Sequence, residues 1–214
     1  MSESLIIPAS FPSFITGIKE ILCSIMMSRA VMIESVASTV AAKDTTISRG
    51  PDVVYVPTPQ EVVEKMLELA QVKKTDVVYD LGCGDGRIVV TAAKKYGCRA
   101  VGFDIDPVRI RESRENVKKN GVEDLVKIEQ KDIFALDLSP ANVVTLYLLP
   151  DLNVKLIPQL EKLKPGSRIV SHDFRMRGVK PNKVEEVTCE KDKSEHTIYS
   201  RATCKLPIFS SLCS

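Results

Sequence analysis

The segment Asp80-Leu81-Gly82-Cys83-Gly84-Asp85-Gly86 constrains this chain more than any other. An apolar run, Val77-Val78-Tyr79, leads into it, and a helical pattern from Arg87 to Tyr96 leads out of it. It therefore reads as the turn from a strand into a helix. Its three glycines let the backbone bend sharply and let a ligand approach with no Cβ in the way. The helix that follows aims its free amides and the positive end of its dipole back at the turn. A second acid, Asp104, closes the next apolar run, Ala100 to Phe103. A carboxylate at that place suits the two hydroxyls of a ribose.

Glycine spacing separates two ligand classes. Dinucleotide binders carry G-x-G-x-x-G, whose third glycine packs helix against strand. Here the pattern is G-x-G-x-G, with Asp80 two residues before the first glycine. An acid there repels a pyrophosphate and suits a cation. S-adenosylmethionine (SAM) offers a sulfonium, an α-amino group and a ribose, and has no phosphate. The segment resembles the nucleotide-binding motif of class I, seven-strand methyltransferases, which implies SAM as cofactor.

Strand and helix patterns alternate from there. Pro57 and Pro59 keep 55–58 extended, and a helix then carries Val62, Val63, Met66 and Leu67. The pattern predicts strands at 76–81, 99–104, 125–130, 142–148 and 167–172, and helices at 86–96, 107–120 and 151–163. Pro107 suits the first turn of its helix and Gly121 its end. Alternation of this kind implies a parallel sheet with helices on both faces. Residues 183–189 and 196–204 alternate around a charged turn and predict an antiparallel hairpin that completes the sheet. The expected fold is α/β: a Rossmann-like, doubly wound, mostly parallel seven-stranded sheet with a C-terminal antiparallel hairpin.

The expected organisation is an extension at 1–51, a methyltransferase domain at 52–204 and a tail at 205–214. Within the extension, Phe14, Ile15, Ile18, Ile21, Leu22, Ile25 and Met26 fall at helical spacing. The segment 13–33 reads as a short amphipathic helix that docks on the domain or a partner, lies on a membrane surface or belongs to a targeting segment, against the plainer reading of a poorly ordered extension with one helix. Glu3, Glu20 and Glu34 argue against a mitochondrial presequence. No apolar stretch reaches the roughly 18 to 20 residues of a membrane span. The formal charge of +2 leaves no broad basic footprint for nucleic acid. Lys94, Lys95, Arg99, Arg109, Arg111, Arg114, Lys118 and Lys119 are interleaved with Glu112 and Glu115 and read as a solvated helix face. Six cysteines form no C-x-x-C pair and no ligand spacing with the two histidines, so no metal is expected. Cys83 and Cys98 sit where small buried thiols sit, which suits a reducing compartment. The location is expected to be cytoplasmic, with organellar or membrane association left open through the extension, and the chain is expected to be a monomer.

Ligands of such a sheet bind beyond the carboxyl ends of the strands, where the strand order reverses. That rule gathers Asp80, Gly82, Cys83, Gly84 and Gly86 after the first strand and Asp104 and Ile105 after the second. Asp132, with Ile133 or Phe134, follows the third. Asp132 is placed to accept from the adenine amino group or, alternatively, to cap a turn; Ile133 or Phe134 would pack on the ring. Tyr147-Leu148-Leu149-Pro150 follow the fourth strand, beside the reactive methyl. Enzymes acting on base or glutamine amides carry an Asp or Asn, two prolines and an aromatic there. Tyr147 and its apolar neighbours would instead line a narrow channel for an alkyl amine.

Four stretches narrow the resemblance: Tyr55-Val56-Pro57-Thr58-Pro59, DLGCGDGRI, VVTLYLL and Ser171-His172-Asp173-Phe174. Over about 52–200 the chain resembles the archaeal protein lysine methyltransferase family and its mitochondrial lysine methyltransferase relatives. The resemblance implies a lysine-bearing protein substrate, and it places Tyr55 and Thr58 over the methionine end of SAM. Tyr147 and His172 are then the polar groups expected near the amine, with a hydrogen-bonded strand-end residue as the alternative for His172. The same fold serves small-molecule and RNA methyltransferases, which remain the competing classes. The tail from Arg201 diverges from the family pattern.

Overall fold

The structure is a computed structural model that describes residues 54–204; the expected amphipathic helix at 13–33 and the tail at 205–214 lie outside them. After an extended arm at 54–59, helix α1 (Gln60–Leu69) is followed by β1 (Val77–Leu81), α2 (Arg87–Tyr96), β2 (Arg99–Asp104), α3 (Pro107–Lys119) and β3 (Val126–Gln130). A 3-10 turn (Ile133–Ala135) leads to β4 (Val143–Leu146), α4 (Pro150–Leu160), β5 (Arg168–His172), β6 (Lys183–Thr188) and β7 (Glu195–Ala202). The seven strands form one sheet in the order β3-β2-β1-β4-β5-β7-β6. The first five strands run parallel, and β7 joins β5 and β6 antiparallel. The strand order reverses between β1 and β4, where a doubly wound sheet opens its crevice.

Each helix begins where its sequence permits. Pro107 occupies the first turn of α3, and the Asp106 side chain caps it, accepting from the Val108 amide at 2.8 Å. Pro150 likewise starts α4. Helices α1, α2 and α3 bury Val62, Met66, Val89, Ala92, Ile110 and Val117 on one side of the sheet. Helix α4 buries Leu152, Leu156, Ile157 and Leu160 on the other, against Leu81, Phe103 and Leu146. The central strand β4, Val143-Val144-Thr145-Leu146, is buried throughout, as a strand covered on both faces must be. At the opposite end from the crevice, the Arg168 guanidinium bonds the buried Asp76 and the Ala70 carbonyl, tying α1 to β5.

Strand and helix boundaries match the expectation to within three residues, and one of the differences shapes the crevice. Strand β4 stops at Leu146 rather than at 148, so Tyr147, Leu148 and Leu149 leave the sheet. The fully buried Asn153 of α4 explains this, since its side-chain amide donates to the Leu148 carbonyl and to the Phe174 carbonyl. Two loops are thereby pinned together at the crevice. Strand β7 runs to Ala202, so it takes in the first two residues of the stretch that diverges from the family pattern.

Candidate active site

A cleft of about 630 Å³ opens at the carboxyl ends of β1, β2 and β4. The glycine turn forms its floor. Gly82 and Cys83 both donate their amides to the Phe103 carbonyl, at 2.8 and 2.9 Å, which ties the turn to the end of β2. The Gly84 amide donates to Asp104 Oδ2 at 2.9 Å, while the Asp106 amide donates to Asp104 Oδ1 at 3.0 Å. Asp104 thus organises both loops while lining the cleft. Gly84 is the position where glycine is required. Its φ is +54°, and a Cβ there would fall 2.2 Å from Cε2 of Tyr55.

Asp80 lies 2% exposed at the cleft floor. Parallel register sets it beside Thr145, whose hydroxyl donates to Asp80 Oδ1 at 2.7 Å. Burial pushes the Asp80 carboxyl up to about 7; the Thr145 bond only partly counters this, and Asp104 and Asp85 add like charge. A buried carboxylate crowded by two other acids is poised for a positive ligand. Burial also holds the Cys83 thiol well above its ordinary range, so it lines the cleft as a neutral, apolar group.

The arm at 54–59 covers one side. Val54, Tyr55, Val56 and Thr58 all line the cleft. Arg87 makes a bidentate bond to Asp85, at 2.9 and 2.6 Å, and its third nitrogen donates to the Thr58 carbonyl at 2.7 Å. At Asp85 burial works against ionisation, but the bonds and charge of Arg87 outweigh it and hold the carboxyl below its usual value. Arg109 stacks its guanidinium over the Tyr55 ring, 4.7 Å from the centroid. On the far side, Ile105, Asp106, Asp132 and Ile133 face the cleft, and Tyr147, Leu148, Leu149, Leu152 and Phe174 form the last wall. The Tyr147 and Phe174 rings stack at 6.1 Å.

Most of the expected residues therefore meet: Tyr55, Thr58, Asp80, Gly82, Cys83, Asp104, Ile105, Asp132, Ile133 and Tyr147 all line one cleft. Gly84 and Gly86 support it from below; Gly86 packs on Ser113. Asp132 also caps the 3-10 turn, accepting from the Phe134 amide at 2.9 Å, and Ile133 rather than Phe134 faces the cleft. His172 departs from expectation. It is 0% exposed and stands outside the lining, behind Tyr147, with ring centroids 4.0 Å apart. Its Nδ1 lies 3.3 Å from the Thr58 hydroxyl and its Nε2 3.0 Å from His196 Nδ1. Burial lowers its pKa to about 4, so the ring is neutral. It is placed as the alternative reading has it, a hydrogen-bonded strand-end residue that backs the wall and does not line the cleft. Arg109 is likewise no part of a solvated helix face, and its role, like that of Arg87, depends on side-chain reach that spacing does not encode.

The residues present fit SAM. Asp80 would face its positive end, Asp104 the ribose, and Asp132 and Ile133 the adenine. Asp85 and Asp106 add further acid around the cleft, and no cleft-lining group forms a phosphate cradle of basic residues.

Comparison with known proteins agrees. The pattern that defines the ANTKMT methyltransferase domain matches residues 80–183. A protein-lysine N-methyltransferase of Saccharolobus islandicus is 51% identical over 151 residues, which is 70% of this chain and 92% of that protein. A human lysine N-methyltransferase, named for its action on ATP synthase, is 30% identical over 121 residues, 56% of this chain and 51% of that protein, so the chain spans about half the length of that relative. A crystal structure named as an RNA methyltransferase from Salinibacter ruber, in complex with S-adenosyl-L-homocysteine, is 49% identical, with a TM-score of 0.65 over 71% of this chain and 95% of that one. The chain belongs to the class I, SAM-dependent methyltransferases, in the protein-lysine N-methyltransferase family.

Proposed function

We propose that this protein transfers the methyl of SAM to the side-chain amine of lysine in a protein substrate. The observation that carries the reading is the wall after β4. Tyr147, Leu148, Leu149, Leu152 and Phe174 line that side of the cleft, where enzymes acting on planar amides place an Asp or Asn with two prolines and an aromatic. The 51% identity to a protein-lysine N-methyltransferase supports it.

When bound, SAM supplies an electrophilic methyl on a sulfonium. Asp80 would hold the positive end, and Asp104 with the glycine turn would hold the ribose, which leaves the Tyr147 wall to receive the amine. Positioning of this kind supplies several kcal/mol toward an in-line displacement. A free lysine has a pKa near 10.4, so at pH 7 only about one in a few thousand is neutral. The apolar wall disfavours the ammonium by desolvation and raises that fraction. Burial, and then the charge of Asp173, raises the Tyr147 pKa, so its phenol stays protonated and serves as a neutral hydrogen-bond partner that orients the amine.

A second reading, methyl transfer to RNA, rests on the name of the Salinibacter ruber structure. One experiment separates the two. The protein is incubated with methyl-labelled SAM and, in parallel, with a lysine-rich protein mixture, the same mixture after chemical acetylation of its lysines, and total RNA. Label in the first sample alone supports the proposal. Label that survives acetylation, or that enters only RNA, overturns it.

A further inference from the structure

The only two histidines of the chain meet with Asp173 behind the Tyr147 wall. His172 Nε2 lies 3.0 Å from His196 Nδ1, His196 Nδ1 lies 3.1 Å from Asp173 Oδ2, and Asp173 Oδ2 lies 3.2 Å from His172 Nε2. Three lone-pair-bearing atoms thus form a nearly equilateral triangle. Protons on both nitrogens, each directed at Asp173 Oδ2, would serve two of the edges and set N–H against N–H across the third. A cation at the centre satisfies all three. Ligand atoms about 2.0 to 2.2 Å from a metal are separated by about 2.9 Å along an octahedral edge and about 3.4 Å along a tetrahedral one. The observed edges fall between those lengths.

The surroundings hold each group in place, as ligand-supporting partners do. The remaining nitrogen of His196 lies 3.0 Å from the Ser194 hydroxyl, and that of His172 lies 3.3 Å from the Thr58 hydroxyl. The second carboxylate oxygen of Asp173 accepts from the Thr197 amide at 2.9 Å, and its own amide donates to the Thr197 carbonyl at 2.7 Å. Asp173 also adopts a φ of +55°, a left-handed conformation that a non-glycine residue keeps only when its neighbours hold it there. The side chains of Asp173 and His196 are 27% and 15% exposed, so the cluster is open to solvent on one side.

We propose that His172, Asp173 and His196 form a divalent transition-metal site of the zinc type. Two imidazoles and one carboxylate are the donor set such an ion takes, with the remaining coordination open to water. The ion joins the end of β5 to the start of β7 directly behind Tyr147, and it takes no part in methyl transfer. Sequence spacing conceals the set, because β6 separates residues 173 and 196 in sequence and the antiparallel pairing of β5 with β7 brings them together.

The test uses full-length, tag-free protein stripped with a chelator. Zinc affinity is measured by competition with a chromophoric chelator, and cobalt is used as a spectroscopic probe. The wild type is expected to take one equivalent of zinc with at least 100-fold higher affinity than His196→Ala or Asp173→Asn. The cobalt adduct is expected to show the visible bands of a four- or five-coordinate nitrogen–oxygen site, with no thiolate charge-transfer band. Wild-type zinc uptake no greater than that of folded variants overturns the proposal, as does a thiolate band that assigns the metal to cysteine. Should a variant fail to fold, the stoichiometry and cobalt spectrum of the wild type decide on their own.

Discussion

Asp80 keeps its proton up to about pH 7 because burial penalises its charged form. Its folded pKa is raised above the unfolded value of 3.8, so it favours the folded ligand-free protein fully below pH 4 and loses that contribution as pH rises through about 7. The loss is on the order of 2–4 kcal/mol. Asp80→Asn keeps the bond from Thr145 and removes the charge. The variant is expected to melt above the wild type at pH 8 and close to it at pH 5; a gap that does not change with pH would remove the electrostatic account. SAM binding should behave in the opposite sense. A cation prefers the ionised carboxylate, so wild-type affinity rises with pH through about 7 while that of Asp80→Asn stays flat. Calorimetry at pH 5.5 and 8 reads both. Asp104 acts differently, because its two oxygens already hold the amides of Gly84 and Asp106. Asp104→Ala would lose the proposed ribose contact and loosen the turn, and calorimetry should show a fall in SAM affinity of roughly 10- to 100-fold.

At the scale of elements, the arm at 54–59 is held from the body of the domain by two arginines, one on each of α2 and α3. Arg87 joins Asp85 in the glycine turn to the carbonyl of Thr58, so the turn and its cover move together. Arg87→Lys leaves a charge but cannot make the forked bond. It is expected to raise the KM for SAM about tenfold with kcat changed less than twofold, because the arm would close less often without altering the reacting atoms; steady-state kinetics separate the two. The strands were legible from residues alone, because Val77–Tyr79, Ala100–Phe103 and Val143–Leu146 are apolar runs bounded by turn residues. The acids of the site were legible too, since topology sends every residue after a parallel strand to the same edge. What escaped was whatever depends on side chains reaching across elements. Tyr147 and Leu148 continue the apolar run of β4, yet Asn153 draws them out of the sheet. Arg109 reads as surface charge until Tyr55 is seen beneath it. His172 and His196 are separated in sequence, and their meeting follows only from the register of β5 with β7.

For the molecule as a whole, the distribution of charge bears on which substrate reaches the cleft. The chain carries a formal charge of only +2, and many of its cations are engaged locally. Lys95 pairs with Glu64 at 2.8 Å, Arg109 with Glu112 at 2.7 Å and Lys131 with Glu129 at 2.6 Å, while Lys94 donates to Asn120 at 3.0 Å. The cleft itself is lined by Asp80, Asp85, Asp104, Asp106 and Asp132 against two arginines, Arg87 and Arg109. That balance attracts a cationic side chain and repels a phosphate backbone. Salt therefore discriminates between the substrate classes. A nucleic-acid enzyme that makes six to ten phosphate contacts loses roughly 10³- to 10⁵-fold in affinity between 50 and 200 mM salt. A lysine substrate drawn to an acidic cleft is screened only over a Debye length of about 10 Å. The kcat/KM for a lysine-bearing protein is thus expected to fall less than about tenfold over the same range. A steeper fall would mean that an extended basic surface, not the acidic cleft, governs the encounter, and the substrate would then have to be sought among polyanions.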